Sequence, residues 1–185
     1  EELKLELATL FGFTILVLVG LSAVFVWELH QAREVLVLRS TGQPPALAPP
    51  PPKWHAFLSH NWDNQDAVAT IKRQLQRLLP GVRIFLDVDD LESVDALEAY
   101  VHDSAAVLIL LGSVRYFASA NCLREVAAAK KKALPLVRVH DSDAQKNGSP
   151  LEVLKAACPE EHRGFVFGGE VVVWHRVRDF QQLSL

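Results

Sequence analysis

The chain lacks methionine altogether and has only two cysteines among its 185 residues. Without an initiator at its start, it reads as a fragment of a longer protein. Cys122 and Cys158 are too few for a disulfide framework and fit no zinc spacing, which suits a reducing compartment. The seven histidines are scattered with no HExxH pattern, so no metal centre is expected. A net charge of −3 without a basic stripe excludes an ordinary nucleic-acid binder. The first strand-to-helix turn carries no glycine-rich fingerprint, which removes the dinucleotide-binding and P-loop readings.

Charge is missing in one place above all. Leu7–Trp27 is 21 residues without a charged side chain. As a helix it spans roughly 31 Å, against about 30 Å of bilayer hydrocarbon. Basic residues are sparse before it (Lys4) and more frequent after it (Arg33, Arg39, Lys53). This bias places residues 28–185 in the cytosol, as a single-pass membrane protein. Residues 1–6 are then the extracytosolic flank. Glu28–Leu38 is expected to continue the helix. Six prolines in Ser40–Pro52 forbid a helix and favour a stiff, extended spacer within the 28–52 linker. The stretch 44–53, proline-rich and ending in Lys53, also fits an SH3 ligand, but such short patterns are common by chance.

From residue 53 to 185 the pattern becomes that of one α/β domain. Short apolar runs at Trp54–Ser59, Val82–Leu86, Ala105–Leu111 and Leu134–Val139 read as strands. Phe165–Phe167 or Val171–Trp174 supplies a fifth. Helical segments alternate with them, among them one whose apolar face is Val68, Ile71, Leu75, Leu78 and Leu79 and one from about Asn121 to Lys132. Alternation of this kind implies a flavodoxin-like parallel sheet of order 2-1-3-4-5, with helices on both faces. Ligands bind such sheets at the carboxyl ends of the strands where the order reverses, here between the first and third strands. Ser59 ends the first of these, His60 and Trp62 follow it, and Ser113 follows the third. Glu125 arrives from the next helix. Adjacent strand residues point to opposite faces, so Ser59 and His60 do not form a nucleophile–base dyad. The run Asp87–Asp95 reads as a solvated acidic loop rather than a metal site. By periodicity alone, Glu125 is equally at home as a surface carboxylate near a helix N-terminus.

Three segments in order resemble a TIR (Toll/interleukin-1 receptor) domain: Ala56-Phe-Leu-Ser-His60, Phe85-Leu-Asp-Val-Asp-Asp-Leu-Glu-Ser93, and Ser119-x-x-Cys122-Leu-x-Glu125-Val. The last is similar to the segment that carries the glutamate of NAD-cleaving TIR domains, and Val173-Trp174 stands near the family's third box. The usual Arg-Gly of the loop after the second strand is absent, with Ser93-Val94 in that region. The resemblance implies NAD+ as a substrate, with no separate cofactor, and cleavage of its nicotinamide–ribose bond to give nicotinamide and linear or cyclic ADP-ribose. It implies Glu125 as the catalytic group, and it casts Ser59, His60, Trp62, Asp87 and Ser113 as substrate contacts. It also implies self-association with other TIR domains through the BB loop, Asp89, Asp90, Leu91, Glu92 and Ser93. A non-catalytic TIR adaptor working by homotypic association is the alternative.

Overall fold

The structure is a computed structural model and describes residues 2–31, 35–47, 53–90, 93–177 and 181. Leu91 and Glu92 of the acidic segment, and prolines 49–52, lie outside the described residues. The chain divides into two compact units, Glu1–Pro44 and Pro45–Leu185.

The first unit is built on α1 (Glu2–Gln31), a helix of 30 residues. Its window Leu10–Trp27 is long and apolar enough to cross a membrane and none of it is buried. Within that window both hydroxyls are bonded: Thr14 donates to the Leu10 carbonyl and Ser22 to the Leu18 carbonyl, both at 2.8 Å. That internal bonding is what a hydrocarbon environment demands of a polar side chain. The expected continuation of the helix to Leu38 is corrected. The helix is described as far as Gln31, and Val35–Leu38 is not helical. A turn follows, in which the Gly42 amide donates to the Leu38 carbonyl at 2.8 Å with Gly42 at φ 66.

The second unit holds five parallel strands: β1 (Ala56–Ser59), β2 (Ile84–Phe85), β3 (Val107–Leu111), β4 (Leu136–His140) and β5 (Val171–Val173). Their order is β2-β1-β3-β4-β5. The expected topology holds, with strands shorter than the apolar runs that contain them. β3 is the centre. Leu108 and Leu110 pack on one face with Val68 and Ile71 of α2 (Gln65–Leu78). Ile109 and Leu111 pack on the other with Cys122 and Val126 of α5 (Ala120–Lys131). Alternate residues therefore meet opposite helices, which is why the strand's sequence is apolar throughout. Phe57, Phe85 and Val107 continue the second layer towards α4 (Leu97–His102), with the rings of Phe57 and Phe85 stacked 5.0 Å apart.

Two expectations change. The run after β2 is not all loop, because Asp87–Asp90 forms one helical turn, α3. Lys72 of α2 explains it: its ammonium lies 2.8 Å from Asp89 and 2.9 Å from Asp90. The Asp90 carboxylate also accepts from the Leu86 amide at 3.0 Å. The choice for the fifth strand is also decided. Phe165–Phe167 belongs to a helix, α7 (Glu160–Phe167), which follows the short α6 (Leu151–Ala157). Pro159 precedes α7 and Glu160 and Glu161 occupy its first turn, the charge sign that a helix N-terminus favours.

Candidate functional site

β1 and β3 run side by side, with Ser59 opposite Ile109. At their carboxyl ends, side chains from β1 and from the turn after β3 converge on α5. Ser119 caps that helix by accepting from the Cys122 amide at 3.4 Å. Cys122, the pair Glu125 and Val126, and Ala129 then recur at intervals of three or four residues on the buried face.

Two of these clamp the helix to the end of β1. The Cys122 thiol donates to the His60 carbonyl at 3.3 Å. The Ser59 hydroxyl donates to Glu125 Oε2 at 2.5 Å. Glu125 is only 6% exposed. Burial pushes its carboxyl from 4.5 up to about 8, against the hydrogen bond from Ser59, and the negative charge of Asp87 adds to the rise. The Cys122 thiol is pushed up to about 12, again chiefly by burial. It is therefore an inert packing and clamping group at neutral pH.

Tyr116 completes the cluster, and sequence reasoning missed it. Ser113 starts a 3-10 turn over Val114–Ala118 by accepting from the Arg115 amide at 3.2 Å. The turn carries Tyr116 into the interior, fully buried, with its hydroxyl bonded to Ser59 Oγ. A tyrosine hydroxyl needs a partner when buried, and a tyrosine just past the central strand was the available signal.

The remaining candidates divide. His60 is buried with Nε2 3.8 Å from Asp87 Oδ1, which brings Asp87 to the rim of the cluster. Burial lowers the His60 pKa despite the pull of Asp87. Ser113 is buried as well, but its bonds go elsewhere. Its hydroxyl donates to Asp63 Oδ2 at 3.1 Å and its amide donates to Asn64 Oδ1 at 3.1 Å. Gly112 is required beside it, because a Cβ there would come within 2.5 Å of Asn64 Oδ1. Trp62 is 70% exposed. It lines a groove with Asp66, Arg73 and Lys146 among others, a set without Glu125. Of the self-association residues, Asp89 and Asp90 are held by Lys72 and Ser93 is exposed.

The arrangement offers one buried carboxyl with a hydroxyl donor on one oxygen, at the switch point of a parallel sheet. The family model for the TIR domain matches residues 56–161, a range that contains β1, the acidic turn and all of α5. The chain belongs to the TIR domain family. A comparison with curated proteins finds no match. Among solved structures, the TIR domain resembles that of the Toll-related receptor TRR-2 from Hydra magnipapillata. The TM-score is 0.50 at 12% identity, over 71% of this chain and 92% of that one. It also resembles the TIR domains of the activated Roq1 resistosome that recognises the effector XopQ, with a TM-score of 0.49 and 18% identity over 69% and 91%. A TIR-STING receptor from C. gigas, solved with 2′,3′-cGAMP, gives 0.48 and 16% over 75% and 39%. The strand order found here is thus that of a TIR fold, and the protein carries a TIR signalling domain.

Proposed function

We propose that the protein is a membrane-anchored TIR signalling enzyme that cleaves NAD+ with Glu125. Residues 7–27 are the anchor, residues 28–52 the spacer, and residues 53–185 the cytosolic TIR domain. The observation that carries this reading is the buried carboxyl of Glu125, fixed by Ser59 at the carboxyl ends of β1 and β3.

The nicotinamide–ribose bond breaks with little acid assistance, because nicotinamide leaves from a cationic ring. The ribose passes through an oxocarbenium-like state, as in glycoside hydrolysis. A carboxylate beside the anomeric carbon stabilises that developing positive charge, and water or a base nitrogen of the same molecule then completes hydrolysis or cyclisation. The carboxyl must be ionised to do so. In the closed site it titrates near 8 and is mostly neutral at pH 7. The cationic nicotinamide ring of bound NAD+, beside the carboxyl, opposes that shift and favours the ionised form. Rate and binding therefore report different titrations. The kcat/KM rises with pH towards 8, following the free enzyme, and kcat rises at lower pH, following the complex.

On this reading His60 and Asp87 are assigned to the nucleotide, and the segment Asp89, Asp90, Leu91, Glu92 and Ser93 to association with other TIR domains. The adaptor alternative draws on one observation: Glu125 is 6% exposed, so a ribose reaches it only after the site opens. Clustering is the natural means of opening. The test is the full chain at high density in liposomes, with nicotinamide release followed by chromatography. Wild type is expected to consume NAD+ and Glu125→Ala to do so at least about 100-fold more slowly, the order of loss seen when a charge-stabilising group is removed. Equal rates for the two, or a silent wild type at every density, leave the adaptor reading in place.

A further inference from the structure

We propose that Tyr116 is a positioning residue that fixes the direction of the hydrogen-bond chain Tyr116–Ser59–Glu125 and so presents Glu125 Oε1, rather than Oε2, to substrate. The reference to substrate rests on the NAD+-cleaving reading; the chain itself does not.

A serine hydroxyl has one proton to give and two lone pairs to receive with. Ser59 Oγ touches both the Tyr116 hydroxyl and Glu125 Oε2. If Glu125 is ionised, its oxygen can only accept, so Ser59 donates to it and Tyr116 donates to Ser59. The reverse direction needs a proton on Oε2, donated to Ser59, and the Ser59 proton turned towards Tyr116. Tyr116 would then have to place its own proton elsewhere. Its hydroxyl has no other hydrogen-bond partner among the described residues and the residue is 0% exposed. An unsatisfied buried donor costs about 1–3 kcal/mol. Deprotonation is no escape, because burial holds the phenol well above its ordinary pKa. The chain therefore runs one way in both protonation states. When Glu125 is neutral, its proton sits on Oε1.

That leaves Oε1 with no hydrogen bond among the described residues. It is the oxygen free to gain one from a ribose hydroxyl, or to face a developing cation. A tyrosine with no path to substrate acts through the serine on the carboxyl, by holding one rotamer of one hydroxyl.

The test is the titration of Glu125, read by carbon NMR of the glutamate side-chain carboxyls in the full chain in detergent micelles, with Glu125→Gln assigning the signal. Tyr116→Phe keeps the ring, which packs edge-on to Phe117 at 5.1 Å. It is expected to lower the acid dissociation constant of Glu125 about threefold, because Ser59 loses the bond that aims and polarises it. In a Ser59→Ala background the same change is expected to do nothing. His60, Asp87, Cys122, Arg124 and, beside Tyr116, Cys158 also face this cluster and are common to every variant, so the cycle cancels them. An unmoved titration in Tyr116→Phe overturns the proposal, as does a shift that survives in the Ser59→Ala background. Wild-type protein supplies a reading independent of any variant: the Tyr116 hydroxyl proton should exchange slowly and show a cross-peak to the Ser59 β-protons. A rapidly exchanging proton with no cross-peak sinks it. No NAD+ cleavage is needed for these readouts, so an inactive protein would overturn the enzymatic reading and leave this one standing.

Discussion

Glu125→Gln is expected to abolish NAD+ cleavage and, in the same protein, to raise its stability above pH 8. The two results have one cause. The carboxyl titrates at about 8 in the folded state, against 4.5 for an unperturbed glutamate, and burial is the main reason. Below pH 4.5 it is neutral whether the chain is folded or unfolded, and the native state carries no penalty. Between 4.5 and about 8 the unfolded chain gives up its proton while the folded one keeps it. Stability contributed by this group therefore falls as pH rises and is lost once pH passes the folded value. At about 1.4 kcal/mol for each pH unit over that interval, the loss is on the order of 5 kcal/mol. Glutamine keeps the shape and can accept the Ser59 hydrogen bond, but it does not titrate. The melting temperatures of the two proteins should converge near pH 4.5 and separate steadily to about pH 8, with glutamine the higher. A constant difference across that range would mean that Glu125 is not buried as a neutral acid.

A site that destabilises its own fold in this way fits a functional carboxyl better than a packing residue. A surface glutamate in the same turn would gain from the helix dipole without a desolvation cost.

How far the sequence announces this structure differs from element to element. The central strand is legible because Ala105–Leu111 is apolar without interruption, which only burial on both faces explains. Topology alone places Glu125 near the switch point, and the fold brings it there. What stays hidden is what depends on distant partners. Lys72 is 17 and 18 residues from the carboxylates it holds, so Asp87–Asp90 reads as a solvated loop. Ser59 and Glu125 are 66 apart, and nothing local says that one donates to the other. Trp62 and Glu125 pair in the sequence reading because both lie near strand ends. The turn after β1 instead swings Trp62 outward, since the side chains of Asn61 and Asn64 fix that turn. The fifth strand is ambiguous in sequence because Phe165–Phe167 and Val171–Trp174 are both short and apolar. Pro159 and the two glutamates after it hold the answer, as a helix start that outweighs three apolar residues.

Arg176→Met should destabilise the domain by about 3 kcal/mol, the second large effect expected of this fold. Past β5 the chain is anchored first by Trp174, whose amide donates to the His140 carbonyl at 2.8 Å. Two residues on, the Arg176 guanidinium reaches Asp141 just after β4, with Nη2 and Nε at 2.6 and 2.8 Å, and Asp66 at the start of α2, with Nη1 at 2.8 Å. One side chain thereby ties the exits of two strands to a helix. The two contacts are not equal. The Asp66 side chain is 57% exposed and its share is small, as for most surface ion pairs. Asp141 is fully buried. Removing its cation strands a carboxylate in the interior, a change that typically costs about 3–5 kcal/mol. The Asp143 amide, which donates to Asp141 at 3.1 Å, remains in place, so the lower end of that range is expected. Arg176→Lys keeps the charge but loses the fork that spans both partners, and should recover only part of the loss. The decisive comparison is Asp141→Asn with Arg176→Met. If the cost comes from the stranded charge, the double variant is more stable than Arg176→Met alone, and urea unfolding midpoints show it. A double variant that is weaker than either single change would place the cost in lost packing instead.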